Sequence, residues 1–323
     1  MMSSPSHEPI EGPLPRVAVL VLNYKNASDT MACLDALASQ DYADTEVWVV
    51  DNDSQDGSAE AIAQAYPHCH LIQAPDNLGF SGGNNLGFQA ILDSGRFEYV
   101  WLLNNDTMVR RDCLTELVWM AKTYPNSIIG PVILNPDGSF QRVGTYMTHW
   151  TGAVRHYGDA FVRPAGEGRC VEALSGCAML IPVEVLKTVG LWTEAYFLYF
   201  EDTDYCLRAA RAGVTCRIAP RARLLHKEGA TTGRAKPLVT YYYQRNRLMV
   251  FYERSAGLAG VFERAFCWLY THWRLVRSRI KSWRSGQADL QLHHRAFELA
   301  VKDFYRGVTG KCPHQDLYPN PNP

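Results

Sequence analysis

Three short clusters of oxygen-bearing side chains follow one another along the chain: Asp51-Asn52-Asp53, Asn104-Asn105-Asp106 and Glu201-Asp202-Thr203-Asp204. Such groups suit a divalent cation bound together with a nucleoside diphosphate. Mg²⁺ and Mn²⁺ take one or two protein carboxylates and fill the remaining positions with phosphate oxygens and water. Asp106 is the leading ligand, and Asn104 offers a carbonyl oxygen or a hold on bound water. His226, after Leu224-Leu225, is placed to close the metal shell or to touch phosphate. A lone histidine after a strand serves structure at least as often as ligation. The third cluster stands behind the aromatic run Phe197-Leu198-Tyr199-Phe200. Apolar surroundings raise a carboxylate's pKa toward the range of a useful base, which makes Asp202 the candidate base and Glu201 the runner-up. Asp204 reads as a charge favoured at a helix N-terminus.

These groups need elements to carry them. Val17 to Leu22 is a continuous apolar run, the mark of a strand buried on both faces, and Asn23-Tyr24 ends it. Helical spacing over Ser28–Ser39, a strand over Glu46–Val50 and a helix from Ser58 to Tyr66 follow, with Ser58 as the expected cap. Leu71-Ile72 starts a third strand, the glycine-rich stretch Gly79 to Gly87 leads into a helix through Leu92, and Tyr99–Leu103 is a fourth strand. This alternation predicts an α/β fold with a mostly parallel central sheet flanked by helices. Carboxylates at the carboxyl ends of its strands sit where open α/β sheets bind ligands. Asp51 to Gly57 then has two readings. It is a grip on a pyrimidine ring N–H or ribose hydroxyls, or an Asx-rich turn capping the next helix. Beyond Gly130 the punctuation by Pro131, Pro136-Asp137-Gly138 and Gly144 predicts short irregular strands, then a strand over Ala178–Ile181 and helices over Val183–Val189 and Asp202–Ala212.

Composition narrows the class. The 323 residues are 47% hydrophobic and 20% charged with a net charge of −1, as in a packed domain and unlike a protein built to coat nucleic acid. Nine cysteines without a C-x-x-C pair suggest buried thiols in a reducing cytoplasm. His68-Cys69-His70 are too close together to converge readily on one metal ion. No window approaches the roughly 18 apolar residues of a membrane span. Residues 1–15 are expected to form a flexible tail and 16–236 the catalytic domain. Residues 237–323 would be a helical appendage.

Taken in order, several segments resemble family 2 glycosyltransferases of GT-A (Rossmann-like) fold, in particular the rhamnosyltransferase-like branch of bacterial surface polysaccharide synthesis. They are Val21-Leu22-Asn23-Tyr24, Val50 to Ser58, Asn77 to Asn85, Leu103 to Thr107, Glu201 to Asp204, and His226. The resemblance spans about two-thirds of the chain. It implies an inverting transfer from a nucleotide sugar, dTDP-rhamnose first and UDP-hexoses including galactofuranose next, to a hydroxyl of a lipid-linked or glycan acceptor. It sets Asn23, Tyr24, Asp51, Asp53, Gly79, Asn84, Asn104, Asn105 and Asp106 around that donor, with Asp51 reading the pyrimidine. It also implies Mg²⁺ or Mn²⁺ at Asp106 and His226, with Asp202 deprotonating the acceptor. Asn104 departs from a full D-x-D and removes one charge from the metal site.

The C-terminal helices carry two basic stretches. In Tyr241 to Arg247, Tyr242, Arg245 and Arg247 are candidates to bind the acceptor or a phosphate, against a core-packed aromatic helix. Further on, Trp273, Val276, Ile280 and Trp283 form one helical stripe beside Arg274, Arg277, Lys281 and Arg284. That pattern favours a peripheral position on an anionic membrane surface, on the inner face of the cytoplasmic membrane, over a core helix with a solvated basic edge. A nucleotide-sugar pyrophosphorylase would need a basic glycine-rich loop near the N-terminus. An NAD-dependent oxidoreductase would need a fingerprint after the first strand. Neither is present. A non-catalytic sugar- or lipid-binding scaffold is disfavoured by Asp106 and Asp202.

Overall fold

The structure is a computed structural model that describes residues 13–162, 168–227, 237–255 and 257–318. The expected tail through residue 12, the boundary at Lys236 and residues 319–323 lie outside them. The first half alternates as the apolar runs require. β1 (Val17–Asn23), β2 (Thr45–Asp51), β3 (His70–Gln73) and β4 (Tyr99–Asn104) alternate with α1 (Ala27–Ala38), α2 (Ser58–Ala65) and α3 (Gly79–Ser94). β5 (Thr107–Val109), α4 (Cys113–Thr123) and β6 (Ser127–Leu134) follow. Short strands β7 (Phe140–Arg142), β8 (Thr145–Met147), β9 (Val154–His156) and β10 (Arg169–Val171) come next. Then come β11 (Ala178–Pro182), α5 (Val183–Val189), α6 (Glu201–Arg211), β12 (Thr215–His226), α7 (Pro237–Arg254), α8 (Gly257–Ser285) and α9 (Ala288–Tyr305).

The main sheet runs β10-β12-β6-β11-β4-β1-β2-β3, while β8 and β9 form a separate hairpin. Parallel pairings join β1 to β2 and β4, β2 to β3, and β12 to β6, whereas β11 is antiparallel to β4 and β6. The central sheet is therefore mostly parallel, with β11 inserted against the grain. β1 is buried along its whole length, and apolar side chains pack on both faces of the sheet. This explains why β1 reads as an uninterrupted apolar run.

Three local expectations differ from what is found. Ser58 does not cap α2; Gly57, at φ +82°, holds that position, and Asp56 Oδ1 accepts the Ser58 N–H at 3.0 Å. Residues 127–134 form a long buried strand despite Gly130 and Pro131. Proline removes a ladder donor, and the register shift in β12 between Ala219 and Arg223, next to Pro131, absorbs that break. Finally, α4 packs Leu114, Leu117 and Val118 under the sheet where no helix was anticipated.

Candidate active site

The register puts the polar strand ends side by side. Asn23 pairs with Asp51 across β1 and β2, and Leu22 pairs with Asn104 across β1 and β4. Neighbouring strands lie ~4.8 Å apart, so one edge of the sheet presents these groups as a row. A hydrogen-bond chain runs along it. Asn105 Nδ2 donates to Thr30 Oγ1 (2.9 Å), Thr30 donates to Asn23 Oδ1 (2.7 Å), and Asn23 Nδ2 donates to Asp51 Oδ1 (2.7 Å). Ser54 completes the Asp51 carboxylate, its hydroxyl at 2.6 Å and its N–H at 3.0 Å. Asp51, Asp53, Gln55, Gly57 and Gln73 line a cleft of about 380 Å³. Asp53 and Gln55 turn into it at φ +59° and +53°. The turn is thus both an Asx-type structure and the wall of a cleft.

The second cluster is left less satisfied. Asp106 Oδ1 is buried and takes no hydrogen bond among the described residues, although His226 Nε2 lies 3.2 Å away. Asn104 Oδ1 is likewise buried without a partner. His226 reaches this place because β12 ends there, opposite Thr107 of β5. Gln141 Oε1 meets its Nδ1 at 3.0 Å and fixes the ring. Burial works against a charge on His226. Cys177 and the Asp106 carboxylate outweigh it and hold its pKa up, to about 10. No group of three or more His, Cys, Asp or Glu among the described residues is arranged to hold a metal. A carboxylate and an imidazole with an unsatisfied oxygen between them nonetheless fit an ion that completes its shell from phosphate and water.

The third cluster comes to the same edge through β11. Because β11 runs against β4, its start lies at the carboxyl end of β4, and Asn104 donates its N–H to the Cys177 carbonyl at 2.8 Å. The preceding Gly176 donates its N–H to Asp202 Oδ2 at 2.9 Å. Two residues therefore bridge Asp202 to the Asn104 strand end. The other Asp202 oxygen accepts from the N–H of Thr203 at 2.6 Å. Burial raises the pKa of Asp202, against these N–H donors and the nearby Arg142. Glu201 is raised well above the usual carboxylate range by burial and by Asp202 beside it, and its Oε2 has no partner among the described residues. Asp204 is spoken for by Arg208 (2.9 Å) and Thr193 (2.8 Å), a structural pairing at the start of α6.

Other candidates hold the scaffold. Asn52 Oδ1 accepts the Leu78 N–H, and its Nδ2 donates to the Gly79 carbonyl. Gly79 sits at φ +72°, where a Cβ would lie 2.4 Å from the Phe197 carbonyl oxygen. Its missing side chain makes room for protein backbone rather than for a ligand. Asn84 is fully buried and donates to the Phe80 carbonyl. Tyr24 stays partly exposed, with Lys25 Nζ 5.3 Å from its ring centre.

Tyr242, Arg245 and Arg247 do not reach a ligand space, because all three are fully buried. Arg245 donates to the carbonyls of Gly310 (2.8 Å), Tyr196 (3.1 Å) and Ala195 (3.3 Å). Arg247 donates to the Thr151 carbonyl and to Thr271 Oγ1 (2.8 Å). Tyr242 accepts the Cys312 N–H at 2.8 Å. Asn246 between the arginines was not anticipated as a site residue. Its Nδ2 donates to the carbonyls of Tyr196, Leu198 and Tyr199, each at 2.8 Å. Those carbonyls belong to a stretch in which Phe197, Tyr199 and Phe200 all have positive φ, 64° to 76°. Asn246 thereby holds the strained turn that delivers Glu201 and Asp202. Gly176 and Gln141 were missed for a simpler reason: a backbone donor and a lone amide carry no distinctive pattern.

Residues 15–270 match the family described as glycosyltransferase like family 2. The chain is 29% identical over 266 residues to an N-acetylglucosaminyl-diphospho-decaprenol L-rhamnosyltransferase of Mycobacterium tuberculosis, covering 74% of this chain and 85% of that protein. A low-salt glycan biosynthesis hexosyltransferase of Haloferax volcanii is 28% identical over 238 residues, 72% of this chain and 74% of that one. Among solved structures, a mannosyltransferase from Pyrobaculum calidifontis in complex with GDP-Man and Mn²⁺ superposes with a TM-score of 0.56 at 16% identity, over 90% of this chain and 87% of that chain. The fold, the row of strand-end acids and the family match agree: the chain is a glycosyltransferase of GT-A fold and belongs to family 2.

Proposed function

We propose that the chain transfers one sugar, with inversion, from a nucleotide-diphosphate donor to a hydroxyl of a lipid-linked or glycan acceptor in cell-surface polysaccharide synthesis. Rhamnose from dTDP-rhamnose is the leading donor. The observation that carries this reading is the short bridge Asp202–Gly176–Cys177–Asn104, which brings the candidate base to the strand end next to Asp106 and His226.

In this reading residues 16–236 perform the transfer. Asp51 and Asp53 receive the nucleoside in their cleft. Asp106, with His226 once its ring has given up its proton, would hold a Mg²⁺ or Mn²⁺, which when bound neutralises charge on the departing diphosphate. Asp202 takes the proton of the acceptor hydroxyl, whose oxygen forms the new bond to the anomeric carbon. The bond from that carbon to the diphosphate oxygen breaks, and its electron pair leaves with the diphosphate. General-base action of this kind contributes ~10²–10⁴-fold. Burial and the neighbouring Asp202 both disfavour a charge on Glu201, which limits repulsion beside the base. Residues 237–323 support the site and meet the membrane surface on which a lipid-linked acceptor would lie. Among the described residues no helix is long and apolar enough to cross a membrane, so contact with the bilayer in this reading is peripheral.

The test is release of nucleoside diphosphate from a panel of dTDP-, UDP- and GDP-sugars, with Mn²⁺ and with EDTA. Metal-dependent release from dTDP-rhamnose in the presence of an acceptor is expected. Full activity in EDTA would remove the metal assignment, and release from none of the donors would remove the reading.

A further inference from the structure

A second cleft, of about 500 Å³, opens between α7, α8 and α9, away from the strand ends. Arg274, Arg277 and Lys281 of α8 line it, with His293 of α9 and Gln244 of α7. No carboxylate lines it, and none of the three cations is ion-paired among the described residues. Arg274 Nη1 is 3.5 Å from Gln244 Oε1, and Arg277 lies over the Trp273 ring at 5.4 Å. Asp289, outside the lining, is 3.9 Å from His293 Nε2 and largely exposed. Such a pocket has the chemistry of a phosphate site, with guanidinium and ammonium donors and no competing anion.

Its position says where the phosphate comes from. α8 turns an apolar stripe to solvent: Leu258, Phe262, Leu269, Trp273, Ile280 and Trp283, with Leu258 85% and Trp283 79% exposed. The opposite face, Cys267, Thr271 and Ser282, is buried against the rest of the chain. Trp273 belongs to both the stripe and the cleft, so the two are continuous. The helix carries Arg264, Arg274, Arg277, Arg279, Lys281 and Arg284 against the single carboxylate of Glu263. An exposed apolar face edged by cations is favoured at the boundary between acyl chains and anionic head groups. Two copies meeting through this face would bring like charges together. The three cations and His293 lie beyond residue 270, where the family match ends.

We infer that α8 lies on an anionic bilayer with its apolar stripe at the acyl boundary, and that the cleft formed by Arg274, Arg277, Lys281 and His293 receives the phosphate of a lipid head group. This deepens the membrane-surface reading above and rests on it, but not on the identity of the donor.

The experiment is flotation of the whole chain with vesicles of phosphatidylcholine alone or mixed with phosphatidylglycerol. Binding to the mixed vesicles at low salt is expected, with little binding to phosphatidylcholine. Each surface cation contributes about fivefold to such binding. Arg277→Gln with Lys281→Gln should therefore lower partitioning by about 25-fold or more, and by more than Arg279→Gln with Arg284→Gln. Trp283→Ser with Ile280→Ser should also weaken it, and unchanged thermal melting identifies variants that still fold. Equal losses from the two charge pairs would overturn the cleft assignment. Release by inorganic phosphate at matched ionic strength would overturn the lipid source. Failure of the wild-type chain to float, with dimerisation seen by light scattering, would assign the face to a second copy. Transfer to a soluble acceptor is measured in parallel. Its loss with flotation intact contradicts the transfer reading alone, and the converse contradicts this one alone.

Discussion

α7 and α8 both carry arginines among aromatic rings, and they point them in opposite directions. In α7, Arg245 and Arg247 are fully buried, and Arg245 lies between Tyr241 and Tyr242 at 5.3 and 5.2 Å. In α8, Arg277 and Lys281 line an open cleft beside exposed Trp273. The difference lies in what each helix packs against. α7 meets the turn Ala195–Tyr199, whose carbonyls belong to no sheet ladder, and its Arg245 and Asn246 add donors to them. A buried charge is tolerable only when so satisfied. On α8 only Arg264, near its start, donates to carbonyls, those of Tyr252 and Ser255, while Arg277 and Lys281 remain available.

This contrast can be broken by substitution. The largest effect is expected for Arg245→Ala, which removes three hydrogen bonds made by a fully buried guanidinium to the carbonyls of Gly310, Tyr196 and Ala195. At about 1 kcal/mol or more for each, the loss should exceed ~3 kcal/mol in denaturant unfolding. Asn246→Ala should cost ~2 kcal/mol and also lower transfer, because the turn before Asp202 relaxes. A variant that melts lower but transfers normally would separate that turn from the site. Arg277→Gln with Lys281→Gln should change stability by less than ~0.5 kcal/mol, as exposed substitutions do. A large loss there would mean that α8, too, uses its cations inward.

A smaller, pH-dependent effect distinguishes the two neighbouring acids. The pKa of Glu201 is raised in the fold, so the stability it contributes is fully present below its ordinary value of 4.5. That contribution is lost as pH rises through the raised one. Glu201→Gln should flatten that decline in urea unfolding measured across this window. Asp202 is also raised, so transfer should fall off on the acid side at a pH above the ordinary aspartate value of 3.8. A rate profile flat down to that value would contradict its role as base.

Much of the parallel half of the fold was legible, because strands buried on both faces are written as apolar runs that stop at polar residues. β6 was not, since Gly130 and Pro131 imitate a turn, and only the irregular partner β12 makes them tolerable. α4 carried a readable periodicity in Leu114, Leu117 and Val118. At the site, Asp51, Asp106 and Asp202 stood out because carboxylates at strand ends and helix starts have few structural excuses. Gly176 did not, since the N–H that holds Asp202 belongs to every residue but proline. Arg245 misled for the opposite reason: its side chain announces charge, while burial depends on carbonyls 49 or more residues away in the chain.

The central claim, that Asp202 removes the acceptor proton at a site where Asp106 helps to hold the donor diphosphate, is tested most directly by measuring donor binding and transfer together in Asp202→Asn and Asp106→Asn. Asp202→Asn should bind the nucleotide sugar as the wild type does and lose ~10²–10⁴-fold in turnover, while Asp106→Asn should lose Mn²⁺-dependent binding. Wild-type turnover in Asp202→Asn would contradict the account.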